Sequence, residues 1–387
     1  MSDNARLSDI FPSRQPQRLT PAFDVTKRRA GLMLAPVIRA EPDSLFAPAV
    51  DLEGRAATAP LPPRRPKRAA EKVSQHQVFA PPALVPSWAK FSGRAGESDA
   101  QFSSGAGLAL LDAFLRREPP CGAVLRQRLA LKAAAASAKI LRLRADEAAL
   151  RDLRFATTPE SSPAAKLLDL WRDLVRRPPA LDGRRLARAA ASLDLGLPDP
   201  DGLAARLKEA VGQGNPVSAA ADAAALAYRM FEEVPRPAEA EVFALRAFDL
   251  VLAVRLRWER PLPLLAGRVL DPSLRPPGAD RRMKPADPGW ATTAAAGIAL
   301  AAASALELGA DLTRRADRLL AVAPILRAKP ANIVVAMLLT EDGVSATEAA
   351  RAAKMTDRSA RRLFDRLITL GAVRELSGRD AFRVYGV

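Results

Sequence analysis

Between residues 101 and 328, apolar and polar positions fall into blocks that read as helices. They are Gly105–Arg116, Ala123–Phe155, Pro163–Arg177, Asp182–Leu193, Gly202–Val211, Val217–Val234, Ala238–Trp258, Trp290–Leu308 and Asp311–Val322. The breakers EPPC, RRPP, LPDPDG, GQGNP and VPRP separate them. The blocks share no fixed period, so a solenoid is not expected. The stretch Asp271–Trp290 reads as one long loop, a length that suggests function or absence of regular structure.

After residue 328 the pattern changes. Pro330 can open a helix over ANIVVAMLLTEDG, with Gly343 as its stop. Ser345 followed by Glu348 is a capping box for a second helix ending near Ala353. A turn at Lys354–Met355 leads to Thr356, which can cap a third helix from Asp357 to about Leu370, with Gly371 as its stop. On a helical wheel Ala360, Leu363, Phe364, Leu367, Ile368 and Leu370 form an apolar side, to be buried. Arg358, Arg361, Arg362, Asp365 and Arg366 form the other side, to be exposed. Two short strands around Ser377–Asp380 follow, with Phe382 and Val384 on one face of the second strand and Arg383 and Tyr385 on the other. Short helix, tight turn, longer helix and hairpin together read as a winged helix-turn-helix, with Arg379 at the tip of the wing.

Residues 1–100 are rich in proline and basic side chains, with RRPKR at Arg64–Arg68, and are expected to be largely disordered. Within them VFAPPALVPSW reads as an extended strap anchored by Trp88. The expected fold class is therefore mainly α. A multi-helix domain over 101–328 precedes a small winged helix-turn-helix over 329–387, behind a disordered N-terminal region.

Composition sharpens this picture. Of 387 residues 49% are hydrophobic but only 5% aromatic, which favours alanine- and leucine-rich helices. The formal charge of +16 calls for an acidic partner, for which duplex DNA is the first candidate. Arg358, Arg361 and Arg362 are the expected base or phosphate contacts; Lys354, Arg366 and Arg379 are expected to hold the DNA backbone. A second copy of the chain and an acidic protein are the other partners considered. The uncharged run Ala291–Leu306 is short of the roughly 18 to 20 apolar residues of a span, so it reads as a buried helix and no membrane role is expected. MSDNARLSDIF lacks the basic-then-apolar pattern of a secretory signal, which points to the cytoplasm.

The chain is poor in catalytic chemistry. His76 is its only histidine and Cys121 its only cysteine, so histidine-pair and cysteine-cluster metal motifs are excluded, as are disulfides within the chain. No Gly-Lys pair exists to form a P-loop, and SWAK at Ser87–Lys90 lacks the companions of a serine acyl-enzyme. Asp112, Asp146, Glu147 and Asp152 have arginines nearby and read as surface pairs. Neither an enzyme, a cofactor nor a metal site is expected. Two basic stretches remain. Arg126, Arg128, Lys132, Lys139, Arg142 and Arg144 are interleaved with leucines; Arg128, Lys132, Lys139 and Arg142 share a side that reads as a solvated face rather than a phosphate-contacting stripe. VLAVRLRWERPLPLLAGRVL reads as a helix end packed on the core, with a pocket beside the Asp271–Trp290 loop as the sharper alternative.

DRSARRLFDRLITLGAVRELSGRDAFRVYGV and RLRWERPLPLLAGRVLDPSLR resemble the bacterial family called domain of unknown function 1403, over about Phe102 to Val387. The resemblance implies an alphaproteobacterial cytosolic protein, often carried on plasmids or other mobile elements. It implies no activity and no catalytic residues. The expected function is DNA binding by a transcriptional regulator or plasmid-associated factor. The alternative is a non-enzymatic adaptor whose basic winged helix docks on an acidic protein.

Overall fold

Three α-helices start where a proline follows a capping side chain. Ser162, Asp199 and Asn215 precede Pro163, Pro200 and Pro216, and each accepts a hydrogen bond from a first-turn amide. The structure, a computed structural model, describes residues 78–93, 96–155, 162–276, 278, 280–326, 329–377 and 383–387. These lie in a unit spanning Lys72–Val387. Expectations for the first 77 residues, including Arg64–Arg68 and His76, fall outside the described residues.

Among the described residues the chain is mainly helical. Its helices are α1 Glu97–Leu115, α2 Gly122–Ile140, α3 Glu147–Leu153, α4 Pro163–Arg176, α5 Gly183–Ala191 and α6 Pro200–Val211. They continue with α7 Pro216–Arg229, α8 Pro237–Arg255, α9 Trp290–Val322 and α10 Lys329–Thr340. β1 Val344–Ser345, α11 Ala346–Ala353, α12 Asp357–Thr369, β2 Arg374–Glu375 and β3 Val384–Gly386 complete the chain. The strands form an antiparallel sheet in the order β1-β3-β2.

The core helix is α8, whose residues Ala240–Ala253 are all buried. Three of them are charged. Glu241 takes a two-pronged ion pair from Arg282, and Arg246 faces Asp173 at 3.7 Å. Asp249 accepts the amides of Leu264 and Leu265 at 3.1 and 3.2 Å, which fixes the PLPLL turn against the helix. Burial raises the Asp249 carboxyl to about 8, against the pull of those amides. The long loop before α9 is likewise tied down, by Arg282 to Glu241 and by Arg281 to Asp287.

Three expectations are corrected. The single helix expected over Ala123–Phe155 is two, α2 and α3, because Arg142 takes a left-handed conformation (φ 56°) and Asp146 caps a new start by accepting the amide of Ala149. No glycine or proline marks that break. Conversely, the two helices expected after Trp290 are one of 33 residues. Gly309 sits inside it rather than ending it, because α1 packs there: a Cβ at Gly309 would stand 2.9 Å from the Phe114 ring. This helix is long and apolar enough to cross a membrane, but 67% of its apolar window is buried in the protein. Third, the strap is anchored by Phe79, Val85 and Ala89, not by Trp88, which is 76% exposed beside Phe102. Cys121 is fully buried, its thiol 3.4 Å from the Thr313 hydroxyl.

Candidate nucleic-acid interface

The last helix pair is built by caps the sequence spells out. Ser345 accepts the Glu348 amide while the Glu348 carboxylate accepts the Ser345 amide, so both halves of the capping box form. Lys354 ends α11 in a left-handed conformation (φ 51°), the backbone a tight turn needs, with a lysine where glycine would be easier. Thr356 then caps α12 by accepting the amide of Ser359.

α12 separates its faces by burial. Ala360, Phe364 and Leu367 are buried, and Phe364 stacks on Tyr385 of β3 with ring centroids 4.2 Å apart. Leu363 is half-buried, whereas Ile368 and Leu370 are 38% and 41% exposed, so the buried side is narrower than the wheel implied. Tyr385 also departs from the expected alternation: β3 is the central strand, and Val384, Tyr385 and Gly386 are all buried. Leu367→Ala should therefore destabilise the protein by about 2–5 kcal/mol, and Leu363→Ala by under about 2 kcal/mol. Ile368→Ala should stay within about 0.5 kcal/mol. Urea unfolding of the full chain checks this series; equal losses at Leu363 and Ile368 would mean the helix is rolled about its axis.

On the opposite face Lys354, Arg358, Arg361, Arg362 and Arg366 are exposed. Arg358, Arg361 and Arg362 make no hydrogen bond or ion pair among the described residues. Arg366 differs, since it donates to the Ile325 carbonyl at 3.4 Å. Arg379 lies outside the described residues. Arg351, exposed on the last turn of α11, is a further cation that sequence reading passed over; its signal was its spacing of three from Lys354.

The helix pair is clamped to the helical body by a charged seam. Asp342, just after α10, is held by Arg128 of α2 and by Arg151 of α3, the latter at 2.7 Å. Glu341 receives Arg172 at 2.8 Å and Arg176 at 3.3 Å. Arg154 reaches Glu348 of the capping box at 3.3 Å. Five arginines thus meet three carboxylates. Burial first, then Arg151, pushes the Arg128 guanidinium down to about 10; burial and then Arg154 do the same to Arg172. Both remain charged at neutral pH. Arg128, at 8% exposed, is therefore no part of a solvated face or a phosphate stripe. Lys132, Lys139 and Arg142 are exposed as expected.

Among the described residues, no three histidine, cysteine, aspartate or glutamate side chains converge as a metal site would require. Residues 72–387 match the model of a family described as Protein of unknown function (DUF1403). The chain belongs to that family. The DUF1403 match starts at residue 72 rather than near Phe102, and so takes in the docked strap as well as the helices. No curated protein matches the chain.

Proposed function

We propose that residues 329–387 are a winged helix-turn-helix that binds duplex DNA, with α12 as its recognition helix. α10, α11 and α12 followed by a sheet in the order β1-β3-β2 fit that architecture. The observation that carries the DNA reading is the exposed trio Arg358, Arg361 and Arg362 in the first half of α12, which make no ion pair or hydrogen bond among the described residues. Their planar forks suit guanine edges and phosphates. Arg361 and Arg362 are assigned to bases. Arg366, a turn further on and leaning on Ile325, is assigned to phosphate. The protein acts as a bacterial regulator or plasmid-associated factor, in keeping with the sequence resemblance.

Fluorescence anisotropy with duplex DNA across a salt series tests this reading. Three or four phosphate contacts should yield a slope of log affinity against log salt of about −3 per protomer, doubled for a dimer on a two-fold site. A slope near zero, with retention on an acidic protein surface instead, would favour the adaptor.

A further inference from the structure

A cavity lies away from the α12 arginines. It encloses about 500 Å³ between the α1–α2 connection, the residues after α8 and the end of α10. That volume is within the range of small-molecule sites. Its walls mix apolar surface from Leu115, Pro119, Pro120 and Leu339 with the guanidinium of Arg126. Trp258 forms part of the wall and is held in place by Asp112, which accepts its indole N–H at 2.8 Å and the Arg116 Nε–H at 2.7 Å.

Arg126 is the anomaly. It lies one turn into α2 and folds back over the start of that helix: a Cβ at Gly122 would stand 3.3 Å from its Nη1. The start of a helix carries partial positive charge, and no side chain caps this one. A cation there is repelled. Its Nε is buried without a hydrogen-bond partner, and no carboxylate comes within ion-pair distance of it among the described residues. Burial and the neighbouring Arg260 both lower its pKa, against a smaller opposing pull from Glu259. The two acids in the cavity wall, Glu118 and Glu259, are exposed and pair with nothing there. Arg116 is already committed to Asp112 and to the Leu256 carbonyl. Arg126 thus adds its charge to an already positive helix end, in a cavity whose walls are partly apolar.

We infer that this cavity binds a small organic carboxylate, its carboxylate against Arg126 at the start of α2, its apolar body against Leu115, Pro120, Trp258 and Leu339. A planar fork takes a carboxylate in a two-pronged pair. An inorganic anion would meet the same charge but leave the apolar walls uncovered. Leu339 and Thr340 come just before Glu341 and Asp342, so an occupant touches the helix that leads into the arginine seam. The site stands whether or not α12 meets DNA.

The probes are benzoate and hexanoate, with benzamide as the neutral counterpart of benzoate and inorganic phosphate as an anion without an apolar body. Calorimetry on the full chain should find the two carboxylates binding with a Kd of about 10 mM or tighter. Benzamide and phosphate should each bind at least about tenfold more weakly. Arg126→Gln should make benzoate and benzamide equivalent. Ala123→Phe, which fills the cavity and keeps the arginine, should abolish both, so the test survives if Arg126→Gln does not fold. The inference is overturned if neither carboxylate binds, if benzamide or phosphate matches benzoate, or if Ala123→Phe leaves benzoate affinity unchanged.

Discussion

Replacing Arg358, Arg361 and Arg362 together by alanine should weaken DNA binding at least about a hundredfold at roughly 150 mM salt, because each base-contacting arginine contributes about 1–3 kcal/mol. The salt slope should shrink in parallel for those of the three that neutralise phosphates. The fold should not change, since all three side chains are exposed and make no bond within the described protein. Single variants separate the roles. Loss of a phosphate contact weakens all sequences alike and lowers the slope by about 1, whereas loss of a base contact relaxes preference at one base pair. Circular dichroism followed by anisotropy on the triple variant decides the matter. Affinity equal to the parent's would remove α12 as the DNA-reading element and leave the adaptor in its place.

The largest expected stability effect lies elsewhere, at Asp342. Its carboxylate stands between Arg128 and Arg151, with Arg128 Nη2 also donating to the Asp342 carbonyl at 3.3 Å and the Val387 carbonyl at 3.2 Å. Asp342→Ala leaves two buried guanidinium groups facing each other without an anion. Removing one partner of a buried ion pair typically costs about 3–5 kcal/mol, mostly from the stranded charge rather than the lost attraction. Chemical unfolding of Asp342→Ala should therefore report a loss in that range. Hydrogen exchange should place the loosening in α11 and α12, whose seat on the helical body the seam supplies. A change within about 0.5 kcal/mol would mean water already reaches these arginines and the seam is not a clamp.

What the sequence determined by itself was local, and even there the starts of α6 and α7 at Pro200 and Pro216 were read one or two residues late, at Gly202 and Val217. Ser345 with Glu348, Thr356 before Asp357, and Pro163 after Ser162 each start a helix through contacts within four residues, so short-range order suffices to read them. The charged face of α12 was legible for the same reason: a helix repeats every 3.6 residues whatever it packs against. Tertiary structure decided everything that depends on a partner from a distant part of the chain. Gly309 continues α9 because Phe114 of α1 needs the space, and Arg142 breaks a helix without any breaker residue. Tyr385 is buried because its strand is central in the sheet and Phe364 stacks on it. Arg128 and Arg361 look alike in sequence, each a cation on a helix. One is buried against Asp342, 214 residues away in the chain, and the other is left in solvent. Burial and the position of a counter-charge set what an arginine does, and both are fixed only when the helices pack.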